Sequence, residues 1–543
     1  MKLPVQFLGD RLSVHFDRFD ADAYRDFLAI KALPECDVTF HNETETYTLT
    51  APKRFAAMLG VSTPGSSSTS LPLLADLFDD QEAICRIALD AKRFAVWSDC
   101  GLGKTLIQLE FARQVIHRTA GRFLIVTMND IVDQFIDECH RFYGESLPIH
   151  RIRNRDELRR WCAASGPGLA ITNYEKFNPE DGQPENQVIS ELRQLAGISL
   201  DESSRLKTGG GKQKWAIIKS SKGIEYKLSA TATPAPNDTM EFASQAAFLE
   251  RMRSENDIIW TYFHRDKQSH RWTVKRHCRE AFFQFMASWS IYVRDPRKYG
   301  WRLDHEPVPE PIVQTIEIPA TVEQLEEMRR IQTDAGGQLL MFEKDNTNAI
   351  ERVKLSEIAK GFLYVEEHGK RRARRIPSRK PEQVIDLIAA ERDRGANVLV
   401  WTQFDEETDI LAERLRGYGV MFDVLTGRVP KPERAEILSR FRRGESHLLI
   451  GRAKMIGYGQ NFQACSAMIF SGWNDSYEEF YQAIRRAVRH GQSERVRVYL
   501  PVIRELEGDM LENIRGKEAK HLAAIEDMER NYVRSLQAMR LVG

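Results

Sequence analysis

Apolar residues in this chain gather in two blocks, where short uninterrupted runs alternate with longer stretches of helical period. In the first block the runs fall at 94–97, 123–127, 169–172, 198–200 and 226–229. Between them, 105–117 and 131–143 place apolar side chains three and four apart, which predicts amphipathic helices. The second block repeats the pattern, with runs at 397–401, 422–425, 447–450, 467–470 and 496–500 and helical stretches at 407–415 and 431–441. A run with no polar alternation is the mark of a strand buried on both faces. Strands of that kind alternating with helices predict parallel sheets covered by helices. The expected fold is therefore α/β, with two parallel-sheet lobes in tandem.

The rest of the chain is organised around these blocks. Residues 1–61 mix short apolar runs with charge and are expected to form a small accessory domain, and the Ser/Pro/Gly-rich stretch 62–72 reads as a linker. The first lobe then spans 73–250, a basic, aromatic, helical insertion 251–379, the second lobe 380–503, and a charged helical segment 504–543.

Composition narrows the class. At 543 residues the chain exceeds what one core supports. With 42% hydrophobic and 29% charged residues it has the make-up of an ordinary globular protein. Lys+Arg and Asp+Glu both number 78, so any basic surface must be local. Seven cysteines are scattered with no Cys-x-x-Cys pair, which argues against a zinc ribbon or disulfide framework and fits a reducing cytoplasm. Neither a signal peptide nor an apolar run of about 18 residues is present, so no membrane association is expected.

The candidate chemistry begins at Ser98-Asp99-Cys100-Gly101-Leu102-Gly103-Lys104-Thr105, which follows an apolar strand and opens a helix. Successive backbone N–H groups in such a turn, with the helix N-terminus, face phosphates. Gly101 and Gly103 keep the turn tight, Lys104 reaches the β- and γ-phosphates, and the Thr105 hydroxyl ligates magnesium. The first position of the pattern, usually glycine, is Ser98. Asp201-Glu202 ends another strand, so both carboxylates are expected at the sheet edge where ligands bind. Asp201 would hold magnesium, and Glu202 would orient and activate the attacking water. Near the other end, Arg486 and Arg489 are spaced to share a helix face. They are expected to stabilise charge on the transferring phosphoryl group. The segment 229–237, Ser-Ala-Thr-Ala-Thr-Pro-Ala-Pro-Asn, supplies small hydroxyls near the acidic pair. These parts predict ATP hydrolysis with magnesium.

Taken together, the motifs resemble superfamily 2 helicase-type ATPases, and more closely the Swi/Snf group. Gly101–Thr105 is similar to motif I, 171–175 to the region of motif Ib, Asp201–Lys207 to motif II and 231–237 to motif III. In the second block, 398–404 is similar to motif IV, 457–462 to motif V and 482–492 to motif VI. The resemblance implies two RecA-like lobes with ATP in the cleft between them. It also implies an adenine-reading role for Gln81 and a place at the nucleotide for Gly459. Two departures stand out: motif II reads Asp-Glu-Ser-Ser where the family has Asp-Glu-Ala-His, and Val488 replaces the usual histidine of motif VI. Asp-Glu-Ser-Ser in a short chain looks most like the phage or prophage-type members.

The implied partner is DNA, duplex in preference to single strands, with a protein partner docking through residues 1–60. The basic run Lys370-Arg371-Arg372-Ala373-Arg374-Arg375 and the stretch 260–279, which interleaves Trp260, Tyr262, Phe263 and Trp272 with arginines and lysines, are candidate nucleic-acid contacts. The loop 207–214 is a third. Strand separation remains open beside translocation, as does an ATP-gated clamp of little turnover.

Overall fold

A computed structural model describes residues 4–538 apart from 19, 32, 34, 60, 62–70, 100, 179–187, 208–210, 235–241, 253–254, 266–271, 303–307, 339–343, 368, 453–455, 457–461, 475, 490–491 and 493. The chain divides into two compact units, residues 1–304 with 523–543, and residues 305–522.

The first unit opens with an antiparallel sheet of β1 (Gln6–Leu8), β2 (Arg11–Phe16), β3 (Asp37–His41) and β4 (Thr46–Pro52), in the order β1-β2-β4-β3. Leu12, Val14 and Phe16 alternate inward along β2 and meet Leu49 and Ala51 of β4, so this sheet has the period-two pattern of a half-buried surface. The helix Ala21–Lys31 covers it with Ala23 and Ile30. The apolar face continues into the core of the main sheet.

That main sheet contains β5 (Arg93–Ser98), β6 (Arg122–Thr127), β7 (Ile149–Arg151), β8 (Gly168–Asn173), β9 (Gly197–Asp201), β10 (Tyr226–Thr231) and β13 (Ser290–Val293). Their order is β13-β5-β10-β9-β6-β8-β7, and every pairing is parallel. The residues of β9, β10 and β13 are buried throughout, which is why such strands read as plain apolar runs. Between β10 and β13 lies a two-stranded hairpin of β11 (Phe263–Arg265) and β12 (Trp272–Val274).

The second unit holds a six-stranded parallel sheet of β14 (Ile312–Ile318), β17 (Val398–Thr402), β18 (Asp423–Leu425), β19 (Leu448–Arg452), β20 (Ala467–Phe470) and β21 (Arg497–Ile503). Their order is β14-β21-β20-β17-β19-β18. A separate antiparallel hairpin joins β15 (Phe362–Glu367) to β16 (Lys370–Arg375).

The fold class matches the expectation, but the expected insertion 251–379 is divided between the units. Its first part supplies β13, beside β5. Its second part supplies β14, at the edge of the other sheet. β14 reads Ile-Val-Gln-Thr-Ile-Glu-Ile and is largely exposed, so it lacks the continuous apolar run that marks a central strand. The closing helix Arg504–Ala538 is divided too, with residues from 523 onward belonging to the first unit. There Tyr532 is fully buried, shares a 2.5 Å hydrogen bond with Ser290 Oγ, and sets its ring edge-on to Trp97. Among the described residues, no helix is long and apolar enough to cross a membrane.

Candidate active site

At the C-terminal edge of the first unit's sheet, β5 ends at Ser98 and the helix Lys104–Thr119 begins. Gly101 and Gly103 have φ of +90° and +71°. Glycine adopts this left-handed backbone without strain, so the tight turn depends on both. A Cβ at Gly103 would also lie 2.2 Å from Gln81 Nε2. Gln81 is buried against the turn, accepting from the Phe78 backbone N–H at 3.1 Å and donating to the Leu102 carbonyl at 3.4 Å. Lys104 Nζ donates to the carbonyls of Ser98 at 2.7 Å and Asp99 at 3.1 Å, so its ammonium spans the turn. No side chain caps the helix, which leaves its first N–H groups for an anion.

The acidic pair stands at the end of β9, two strands away, with Asp201 the last residue of the strand. Asp201 is buried, its Oδ1 accepting from Gln108 Nε2 at 2.9 Å and its Oδ2 from Thr127 Oγ1 at 2.8 Å. Ser199 Oγ in turn donates to Gln108 Oε1 at 2.5 Å, so the cradle helix and the acidic strand share one polar chain. Burial pushes the Asp201 carboxyl above its ordinary value, against the opposing pull of these hydrogen bonds and of Lys104. Its neighbours are mostly neutral donors, and a divalent cation would offset the charge they leave. Glu202 takes φ of +47°, a conformation that costs a non-glycine residue about 1 kcal/mol or more. The turn is held by Tyr174, whose hydroxyl donates to the Asp201 carbonyl at 2.6 Å. Thr231 Oγ1 donates to Glu202 Oε2 at 3.1 Å, which links motif III to the acidic pair.

Sequence reasoning did not single out Gln245. It lies on the buried helix Phe242–Phe248, and its Oε1 accepts from Trp97 Nε1 at 2.8 Å, Ser229 Oγ at 2.8 Å and Ser203 Oγ at 3.2 Å. Its Nε2 donates to the Pro234 carbonyl at 3.0 Å. One amide therefore bonds the cradle strand, the acidic segment, and both Ser229 and Pro234 of the segment 229–237. The only trace in the sequence is one glutamine within an apolar heptad, Phe-Ala-Ser-Gln-Ala-Ala-Phe, because a buried amide must find partners. Gln108, Thr127 and Tyr174 were missed for the same reason.

In the second unit, the expected shared helix face of Arg486 and Arg489 does not form. The helix Tyr477–Arg485 ends one residue earlier, and the chain turns tightly from Arg486 onward. The physical reason is tertiary: the Arg486 carbonyl accepts from the Phe462 N–H at 2.9 Å, while Ala487 and Val488 are fully buried. Arg486 is buried with its guanidinium 5.8 Å from the Trp401 ring centre, whereas Arg489 is half-buried. Gly459 and its neighbours 457–461 lie outside the described residues, as do 235–237, 208–210, Lys267 and Arg271.

The basic run 370–375 forms β16 and is less bare than its sequence suggests. Arg374 meets Glu327 at 2.8 Å, Arg375 meets Glu406 at 2.7 Å, Arg371 meets Glu357 at 3.4 Å and Arg372 meets Glu367 at 3.9 Å. Cross-strand and neighbouring carboxylates thus compensate much of its charge.

Two families match this chain. The family described as "Type III restriction enzyme, res subunit" matches residues 75–236, and "Helicase conserved C-terminal domain" matches 379–491. Among curated proteins, the chain is similar to a putative ATP-dependent helicase/translocase, YwqA, of Bacillus subtilis, with 26% identity over 417 residues, 74% of this chain and 43% of the relative. Over 117 residues it is 31% identical to SWI/SNF-related matrix-associated actin-dependent regulator of chromatin subfamily A member 1 of Mus musculus, which covers 21% of this chain and 11% of that protein. Thus the chain spans less than half the length of these relatives. A solved SWI2/SNF2 ATPase core of Sulfolobus solfataricus in complex with dsDNA aligns over 86% of this chain and 98% of that one, at 17% identity and a TM-score of 0.39. With both family matches falling on the two parallel-sheet units and the motifs in order along them, the chain carries the paired domains of a superfamily 2 helicase, and its similarity to SWI/SNF-related relatives supports the Swi/Snf-like group.

Proposed function

We propose that this chain is an ATP-dependent DNA motor that hydrolyses ATP and moves along duplex DNA. The observation that carries the reading is the convergence of Lys104, Asp201, Glu202 and Thr231 at one sheet edge, joined through Gln108 and Gln245. Lys104 exchanges its carbonyl partners for the β- and γ-phosphates, and the N–H groups of the glycine turn bind the remaining oxygens. Gln81, already against the turn, reads the adenine edge.

Asp201 and Thr105 would hold magnesium, whose charge offsets that of the phosphates when it is bound. Among the described residues no cluster of three or more His, Cys, Asp or Glu side chains could hold a metal. Two protein ligands completed by phosphate oxygens suit this ion. Glu202, oriented by Thr231, positions the attacking water and takes its proton. Arg486 and Arg489 of the second unit, with Gly459, act on the same nucleotide and supply positive charge to the transferring phosphoryl group. The setting is the cytoplasm, and the accessory sheet of residues 1–60 is a site for a protein partner.

ATP hydrolysis measured without nucleic acid, then with duplex, single-stranded and branched DNA and with RNA, tests this reading. Strong stimulation by duplex is expected. Preference for forks would favour strand separation, and no stimulation by any of them would leave an ATP-gated clamp.

A further inference from the structure

The helix Glu255–Tyr262, which leads into the hairpin of β11 and β12, presents an unusual aromatic side chain. Trp260, at the end of the helix Glu255–Tyr262, is 71% exposed, whereas the other eight tryptophans are buried or half-buried. Its indole stands edge-on to Trp272, with ring centres 6.3 Å apart. Trp272 itself packs onto the first unit's core beside Tyr262 and Val274. The exposed ring therefore rests on a partly buried one.

The mount is stiff. Lys275 Nζ donates to the carbonyls of Trp260 at 2.7 Å and Thr261 at 3.1 Å, and the Lys275 N–H donates to the Tyr262 carbonyl at 2.8 Å. Three carbonyls at the helix end, which a helix leaves open, are thus satisfied by one residue of the returning strand. Cation and carbonyl ends also suit the helix dipole. Such a fixed frame holding an indole in water is what a stacking surface requires, because little freedom is lost on binding.

The sequence from Trp260 to Arg279 is rich in positive charge, although Asp257 lies one helical turn before Trp260 and Arg279 is paired with Asp527. Across 260–279 there are six lysines and arginines and a single carboxylate, Asp266, in a chain whose net charge is zero. Arg265 lies directly across from Trp272 in the hairpin register, so the two share a face. Arg276 is exposed on the following turn. A protein partner with an apolar surface would not need this excess of positive charge. A nucleic-acid end would, because it offers an aromatic face within reach of phosphates.

We propose that Trp260, propped on Trp272, is a stacking platform for an unpaired nucleobase at a duplex end or junction, with Arg265 and Arg276 taking the adjoining phosphates. The proposal rests on the motor reading and deepens it, since it gives the chain a preference for open DNA ends. Base stacking on aromatic side chains is tolerant of sequence, so no particular base is required.

The test compares two fluorescent probes with the full chain at fixed salt: a forked duplex with unpaired arms, and a duplex sealed at both ends by non-nucleotide linkers. Trp260→Ala is expected to weaken binding to the fork about five- to a hundred-fold, the range of one lost stacking contact. Binding to the sealed duplex and the ATPase it stimulates should stay unchanged. Trp260→Phe, which keeps a ring, should retain most of the fork affinity. Equal loss on both probes, or no loss on either, overturns the platform. Unaltered protein that binds neither probe overturns the motor reading along with it.

Discussion

The two parallel sheets use the same strand–turn–helix device at their C-terminal edges and fill it in opposite ways. After β5, the helix Lys104–Thr119 has no acidic residue in its first turn and no side-chain cap, and a glycine turn with a lysine lies across its mouth. After β17, the helix Asp405–Gly417 carries Asp405, Glu406 and Glu407 in its first turn. Glu407, only 2% exposed, accepts from the Gln403 N–H at 2.7 Å, the Phe404 N–H at 3.3 Å and Ser471 Oγ at 2.6 Å. A Cβ at Gly472 would lie 2.6 Å from its Oε2, so the space is closed. One helix N-terminus is left open to a ligand's negative charge, while the other is stoppered by the chain's own carboxylate. The lesson is that a sheet edge is left fit for an anion by what is withheld from it as much as by what is placed there.

The second edge is also richer in buried charge. Glu507, 1% exposed, bonds both Lys380, at 2.7 Å, and Lys360, at 3.0 Å, and the Lys380 ammonium lies 4.8 Å from the Trp473 ring centre. Beside them a cavity of about 420 Å³ is lined by Trp401, Phe404, Phe470 and Trp473. Removing one partner of such a network strands a buried charge, whereas Asp201 of the first edge is held by the neutral donors Gln108 and Thr127.

The comparison can be broken most severely at the open edge. Lys104→Ala should lower ATP turnover on the order of 10²–10³-fold. Glu202→Gln should lower it comparably while ATP binding, read with a fluorescent analogue, is retained. Lost ATP affinity in Glu202→Gln would remove Glu202 from its assigned role. At the stoppered edge, Glu407→Ala leaves the buried Ser471 hydroxyl and two half-buried N–H groups without this acceptor and should destabilise the second unit by about 2–4 kcal/mol in urea unfolding. Nucleotide affinity of the folded protein should not change. Undiminished stability would deny that Glu407 is the stopper.

Gln245→Met, which keeps volume and removes the shared acceptor, should cost about 2 kcal/mol. It should also lower kcat about tenfold with little change in KM, as misplacement of the acidic turn predicts. Gln245→Glu, which restores an acceptor, should recover part of that loss, and a purely structural role would move stability alone.

The smallest effect concerns pH. Burial lowers the Lys380 pKa from 10.5 to about 8. Between those values the unfolded chain holds a proton that the folded chain has shed, so the contribution of Lys380 to stability should rise with pH across that window, by up to about 1 kcal/mol per pH unit. Below pH 8 both states hold the proton and the cost of burying it is constant. Lys227, whose pKa burial also lowers to about 8, contributes in the same window, so Lys380→Met should reduce the change in stability between pH 7.5 and 9.5 in denaturation curves, and an unchanged difference would deny Lys380 its share.

Much of the fold was legible because its central strands are buried on both faces and so appear as unbroken apolar runs. β14 was not, because an exposed edge strand alternates instead. β13 was hidden by its length of four residues between aromatic helix and loop. Among candidate site residues, Asp201 and Glu202 stand at a strand end, and Lys104 and Thr105 open a helix after a glycine turn, local settings that the sequence carries. Arg486 and Arg489 were legible as residues but not in their setting, since the helix end depends on a bond to Phe462. The run 370–375 showed its charge but not the carboxylates that answer it.

The sequence by itself determined the elements, the glycine turn and the order of acidic and basic parts, because these follow from neighbours within a few positions. Only the tertiary structure decided which groups meet. Gln108 reaches Asp201 across 93 residues, and Trp97 reaches Gln245 across 148. Strand order and burial select those partners. A desolvated amide or carboxylate must take whichever donor the packing brings to it, wherever that donor stands in the chain.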